Sequence, residues 1–178
     1  CIPARLHPGR CRYAYRLGNV LVGNDPGAAV LECTLRGAAL RFETDTVFAL
    51  TGAESPAVLD STPVPYYAPL LAKAGSVLQM GAAKTGLRSY LAVGGGIATP
   101  PVLGSRATDV KCGIGGLEGR KLTAGDTLPI DSCDTAALWQ AITAKRLDRP
   151  LRDKAVCGGL HPMRVQGTQM LPLLRACL

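Results

Sequence analysis

Apolar positions first fall into order at Leu17, Val20 and Leu21, whose spacing predicts a short helix over residues 15–22, closed by the stop signal Gly23-Asn24. Asp25-Pro26-Gly27 is a turn by composition. From Val30 the period changes to two. Val30, Glu32 and Thr34 share one face of a predicted strand, and Leu31, Cys33 and Leu35 share the other. Leu40 and Phe42 alternate with Arg41 and Glu43 in a half-buried strand, and residues 46–51 form the next, broken at Gly52. A polar, proline-rich passage, Ser61-Thr62-Pro63-Val64-Pro65, separates these from a strand over 77–80. Residues 87–93 are nearly continuous in apolar character, which predicts a strand at the centre of its sheet. Beyond Ile130, Asp131 or Asp134 caps a predicted helix over 136–146. It carries Leu138, Trp139 and Ile142 on one face and Lys145-Arg146 near its C-terminal end. Residues 1–16 and 148–178 show no period. Short strands with frequent turns predict a mainly β fold, an antiparallel barrel or sandwich.

Composition supports this reading. The chain is long enough for one domain with a core, and its 21 glycines, 13 prolines and few aromatics favour turns over long helices. No apolar run approaches the ~18 residues of a membrane span. No basic-then-apolar leader is visible, so the expected compartment is the cytoplasm, and a start on Cys1 reads as an incomplete N-terminus. The net charge of +7 lies in the ends: residues 1–16 hold Arg5, Arg10, Arg12 and Arg16 without an acid, and residues 135–178 hold seven bases against Asp148 and Asp153. A basic face on the folded middle is therefore absent, and no nucleic-acid partner is expected. Seven cysteines without a CxxC remove the usual zinc and thioredoxin signatures. Cys157 and His161 would need a second ligand pair, drawn from Cys1, His7 and Cys11. Free thiols are the simpler account, and no metal is expected.

Chemistry concentrates in residues 87–130. Gly94-Gly95-Gly96, Pro100-Pro101, Gly104-Ser105-Arg106-Ala107-Thr108-Asp109 and Gly113-Ile114-Gly115-Gly116 are too rich in glycine for a helix and imply tight turns at positive φ. Gly94-x-Gly96 is not a dinucleotide fingerprint, since Thr99 takes the third glycine position and prolines follow. Gly81-Ala82-Ala83-Lys84-Thr85 lacks the glycine a P-loop needs before its lysine, and reads as a hairpin turn. Both histidines, His7 and His161, lie in the ends, so the middle holds no Ser-His-Asp or Cys-His arrangement. Asp109, Glu118 and Ser105 remain as catalytic candidates, the two carboxylates as general bases. Arg106 and Arg120 offer planar forks for a carboxylate or phosphate, with Thr108 beside them and the N–H groups of Gly95 and Gly96 available to an oxyanion. Glu32 is a further candidate. The alternative is structural: Ser105, Thr108 and Asp109 cap turns while Glu118 and Arg120 pair on the surface.

The same stretch carries a resemblance. Ser89-Tyr90-Leu91-Ala92-Val93, Gly95-Gly96-Ile97, Pro100-Pro101-Val102, Gly104-Ser105, Thr108-Asp109 and the run from Gly113 to Arg120 resemble the allophanate hydrolase subunit 2, or biotin-dependent carboxyltransferase, family. Leu21-Val22-Gly23-Asn24, Leu31-Glu32 and the run from Phe48 to Ala53 are similar to it too. The likeness covers about residues 17–130 and is greatest to the branch formed by the C-type subunits of bacterial ATP-dependent 5-oxoprolinase. It implies a cyclophilin-like β-barrel lobe, of which intact relatives carry two. It also implies a role in a cytoplasmic complex that uses ATP to open the lactam of 5-oxoproline to glutamate. The implied partners are a B-type companion protein, which resembles allophanate hydrolase subunit 1, and a further catalytic subunit of the LamB/YcsF type. Two alternatives stay open within the resemblance. One is an allophanate hydrolase component or the carboxyltransferase lobe of a urea carboxylase, which requires biotin on a separate carrier; the other is a non-catalytic regulatory binding module. The pattern stops abruptly at both edges, as expected of a frame-shifted or mis-assembled gene with atypical, partly disordered ends over 1–16 and 131–178. Such a chain, lacking a second lobe, would be truncated and without activity of its own.

Overall fold

A computed structural model describes residues 10–144, 160–166 and 174–177. In chain order the described elements are α1 (Arg10–Leu21), β1 (Val30–Thr34), β2 (Ala39–Phe42), β3 (Thr46–Gly52), β4 (Ala57–Leu59), β5 (Thr62–Pro63) and β6 (Pro69–Ala72). They continue with β7 (Val77–Met80), β8 (Arg88–Val93), β9 (Thr127–Asp131), α2 (Thr135–Thr143), β10 (Leu160–Gln166) and β11 (Leu174–Cys177). The strands form two sheets, ordered β11-β1-β8-β3-β6 and β5-β4-β7-β2-β10-β9, and every strand pairing is antiparallel. The mainly β architecture is the expected one.

Strand alternation assigns each side chain to a layer. In β1, Leu31 and Cys33 point into the space between the sheets while Val30 points the other way. Leu91 of β8 registers with Leu31 on one side and Leu50 of β3 on the other, a continuous apolar row in the middle of the first sheet. Leu40, Phe42, Leu78 and Met163 face it from the second sheet. Phe42 and Phe48 stack across the interface with ring centroids 5.2 Å apart, a contact worth about 0.5–1.5 kcal/mol beyond its buried area. The centrality predicted for residues 87–93 is realised in β8.

The outer face of the first sheet, bearing Val30, Val47, Ala49, Tyr90 and Ala92, is covered by the two helices. Helix α1 starts at Arg10, earlier than the pattern at Leu17 predicts, and its buried stripe is a different one. Ala14, Tyr15, Gly18, Asn19 and Val22 face the sheet, whereas Val20 is exposed and Leu17 and Leu21 are half-buried. A side chain at Gly18 would stand 3.1 Å from Thr51 Oγ1 and 3.3 Å from Ala92 Cβ, so the helix backbone rests directly on the sheet. Thr51 reinforces this by donating its hydroxyl to Ala14 O at 2.8 Å. Helix α2 is capped by Asp134, not Asp131; its carboxylate accepts from Ala137 N at 2.9 Å. Leu138 is buried against the first sheet, with Trp139 and Ile142 beside it, as their spacing predicts. Lys145 and Arg146 lie outside the described residues.

Two strands come from the aperiodic tail. β10 lies between β2 and β9, with Met163 opposite both Phe42 and Leu128, and β11 edges the first sheet by pairing with β1. The proline-rich passage contributes β5, the edge strand of the second sheet, which pairs with β4 just before it in the chain. No described helix is long and apolar enough to cross a membrane.

Candidate functional site

Residues 94–126, between β8 and β9, form a loop region anchored by isolated bridges: Ile97 to Ile130, Val102 to Ser105 and Asp109 to Ile114. Its root is the glycine turn after β8. Gly95 sits at φ +90°, and a Cβ there would lie 2.0 Å from the Asp131 carbonyl, so only glycine lets this turn close on β9. The Gly95 N–H donates to Asn24 Oδ1 at 2.9 Å, and the Gly96 carbonyl accepts from Asp131 N at 3.0 Å. Both glycines proposed for an oxyanion are therefore built into the turn. Asn24 holds it from behind. Its Nδ2 donates to Val93 O at 2.7 Å and to Asn19 Oδ1 at 3.1 Å, and Asn19 in turn donates to Ala28 O at 2.7 Å. Sequence reasoning read Asn24 as a helix stop and as part of the stretch that carries the resemblance; nothing in its spacing announced a buried amide network.

Thr99 follows, tied to β9 through the N–H of Ala98, which donates to Pro129 O at 2.9 Å. Its side chain is 1 % exposed, and its hydroxyl has no hydrogen-bond partner among the described residues. A buried hydroxyl left in this state costs about 1–3 kcal/mol. The Thr99 carbonyl accepts from Arg106 Nη1. Arg106 is half-buried, and no carboxylate pairs with it among the described residues; Arg41 and Arg88 each have one and Arg120 has two. Ser105 directly precedes Arg106 in the chain. It closes the Val102–Ser105 hairpin and accepts the Ala107 N–H on its Oγ at 3.1 Å, which fixes the backbone on both sides of Arg106.

Asp109 caps the next turn. Its Oδ1 accepts from Lys111 N at 2.9 Å and Cys112 N at 3.2 Å, and the hydrogen bonds from Cys112, first among them its backbone N–H, hold its carboxyl below the usual carboxylate range. Glycines then let the loop fold on itself: a Cβ at Gly115 would strike Ala107 O at 2.1 Å, and one at Gly119 would strike Gly113 O at 2.0 Å. Gly116 packs against Thr108 in the same way, its added Cβ lying 1.8 Å from Thr108 Oγ1. Arg120 staples the end of the loop. Its Nη1 and Nη2 donate to the two oxygens of Asp126 at 2.8 and 2.9 Å, and its Nε donates to Glu118 Oε2 at 2.9 Å. Asp126, absent from the sequence candidates, is the main partner, and it pushes the guanidinium pKa further up while its own falls. The structure thus joins Ser105 with Arg106, Thr108 with the 113–119 glycines and Glu118 with Arg120. The described contacts of Ser105, Asp109, Glu118 and Arg120 are the turn and ion-pair contacts weighed as the alternative.

Glu32 lies apart, on the helix-covered face of the first sheet in register with Tyr90. Its carboxylate is 1 % exposed, with Arg88 Nε 3.5 Å away, an internal ion pair of a kind that desolvation makes costly to break. A groove of about 380 Å³ opens elsewhere, lined by Glu54, Ser55, Pro56, Pro63, Pro65, Tyr66 and Lys84. At its wall the Ser55 and Tyr66 hydroxyls are 2.8 Å apart, and burial pushes the Tyr66 pKa up. The proline-rich passage gave no sign of this groove in the sequence.

The residues described do not fit an ATP site. Residues 81–85 are followed by β8 instead of a helix, and the glycine loops are closed by their own backbone. No cluster of metal-ligating side chains occurs among the described residues. Cys1, His7 and Cys157 lie outside them.

Two facing antiparallel sheets, helices on one outer face and a glycine-rich loop rooted at the central strand define a β domain with an elaborated loop site. The sequence model described as "Carboxyltransferase domain, subdomain A and B" matches residues 11–171, and the chain belongs to this family. It is 49% identical over 139 residues to the C subunit of Escherichia coli 5-oxoprolinase, a match covering 75% of this chain and 45% of that protein. It is 40% identical over 120 residues to urea amidolyase of Saccharomyces cerevisiae, covering 67% of this chain and 6% of the enzyme. The crystal structure of the K. lactis urea amidolyase superimposes with a TM-score of 0.67 at 35% identity, over 72% of this chain and 9% of that one. The chain therefore spans less than half the length of these relatives.

Proposed function

We propose that this chain acts as the C-type component of an ATP-dependent 5-oxoprolinase, a complex that opens a cyclic amide. The observation that carries the reading is the 49% identity to the C subunit of the Escherichia coli protein. In this role the chain binds and positions. The Asp109 pKa is held low by backbone N–H groups, which makes it a weak general base near neutral pH, and Glu118 is engaged by Arg120. Proton transfer and ATP chemistry then belong to the other members of the complex: the B-type companion, similar to allophanate hydrolase subunit 1, and the further catalytic subunit. Cytoplasmic residence follows from the same reading.

The test is co-expression with a B-type companion protein and size-exclusion chromatography of the pair. A stable heteromer supports the assignment; separate elution of two folded proteins contradicts it. The likeness to the K. lactis urea amidolyase favours a second reading, carboxyl transfer with biotin on another domain. The described residues give biotin no distinguishing partner, and no step is derived through it. Inhibition of activity by avidin separates this reading from the first, and a heteromer with neither activity points to a regulatory binding module.

A further inference from the structure

We infer that the Thr99 hydroxyl and the Arg106 guanidinium form a subsite for the carboxylate of a small amide substrate. Three observations converge. Thr99 Oγ1 is buried with no partner among the described residues, and a buried polar atom in that state calls for an explanation. Arg106 has no carboxylate partner among the described residues, although its Nη1 is held by the carbonyl of that same Thr99. The two are fixed by rigid surroundings: Ala98 is tied to Pro129, Pro100-Pro101 follows Thr99, and the Val102–Ser105 hairpin precedes Arg106. With Nη1 occupied, the guanidinium offers the rest of its planar edge, and the hydroxyl adds a neutral donor.

That donor set suits a planar anion with two oxygens. A phosphate, with three strong acceptor oxygens and more charge, calls for further cations, and none is supplied by the described partners of this pair. The subsite rests on the proposed cyclic-amide reading, in which the substrate carries a carboxylate beside its lactam. It makes Arg106 and Thr99 specificity residues that select the carboxylated amide. An ordered water satisfying Thr99 is the structural rival.

The test measures binding of 5-oxoproline, 2-pyrrolidinone (the same lactam without the carboxylate), acetate and inorganic phosphate to the full chain by calorimetry, with thermal midpoints recorded alongside. The subsite predicts that 5-oxoproline binds at least about tenfold more tightly than 2-pyrrolidinone, and that Arg106→Gln removes the difference, as loss of a charged hydrogen bond requires. Thr99→Val, which removes the hydroxyl and keeps the shape, weakens 5-oxoproline binding and raises the thermal midpoint. Unchanged binding in Thr99→Val with a lowered midpoint identifies a water-satisfied structural hydroxyl and overturns the subsite. Equal affinity of both variants and the native chain for 5-oxoproline overturns it while leaving the cyclic-amide reading intact. Arg106-dependent binding of acetate with neither lactam bound supports the subsite and sinks that reading. Tighter binding of phosphate than of any carboxylate, or no binding of any probe, overturns the subsite.

Discussion

Replacing Asn24 by alanine removes the link between the end of α1 and the glycine turn that roots the loop region. Three hydrogen bonds disappear: to Val93 O, to Asn19 Oδ1 and from Gly95 N. The consequences differ. Val93 O keeps the Gly96 N–H at 2.9 Å, and Asn19 Nδ2 still donates to Ala28 O, but neither Asn19 Oδ1 nor the Gly95 N–H has another partner among the described residues. One orphaned donor at about 1–3 kcal/mol, together with an amide oxygen left without its donor and one weakened carbonyl, gives a loss of roughly 2–4 kcal/mol. At about 2–4 °C per kcal/mol for a chain of this size, the midpoint falls by roughly 5–15 °C. Urea denaturation followed by the fluorescence of the single tryptophan, Trp139, reads the change directly, since it packs beside the outer face of the first sheet. Asn24→Asp keeps an acceptor for Gly95 but sets a buried charge against two oxygens. Burial raises its pKa, so the variant is least stable above about pH 4, where an unfolded carboxylate ionises and the buried one resists. An Asn24→Ala chain within about 1 kcal/mol of the native one, a margin near that of an ordinary single hydrogen bond, would show that the turn is held by other contacts.

Further expectations follow from the same contacts. Gly95→Ala forces a Cβ within 2.0 Å of Asp131 O at φ +90°, so it destabilises by about 3 kcal/mol or more through strain and displacement of β9, read by the same denaturation. Asp126, with its pKa depressed chiefly by Arg120, contributes stability that is present above the unfolded carboxylate value and lost as pH falls through its folded value. Asp126→Asn therefore flattens the stability profile below about pH 4, and an unchanged acid limb would refute the staple. Among the described free cysteines, exposed Cys112 reacts first with a maleimide, whereas Cys33, whose pKa burial raises to about 12, reacts only on unfolding; mass spectrometry of the labelled peptides checks the order.

Periodicity carried most of the framework. β1 and β2 follow alternations visible around Leu31 and Phe42, because a buried face imposes period two, whereas β3 and β8 were legible as apolar runs because they are buried on both faces, and β7 as a short strand over 77–80. The helix over 135–143 was legible from Asp134 and Leu138. α1 was misread at its buried stripe, because close approach to the sheet selects Gly18 and Asn19 in place of large apolar residues, and hydropathy cannot register that. β10 and β11 were invisible, since the strand His161-Pro162-Met163-Arg164 alternates weakly and gains its place from partners distant in sequence. The glycine loop was found by composition, yet the partners that organise it, Asn24, Thr99 and Asp126, are short polar residues with no periodic signature. Their roles come from tertiary contacts alone.

The most direct test of the central proposal is glutamate release from 5-oxoproline by the companion subunits of a 5-oxoprolinase, with and without this full chain. The account predicts ATP-dependent turnover that requires the chain and is indifferent to avidin. Turnover that does not depend on the chain, or an activity on urea abolished by avidin, would contradict it.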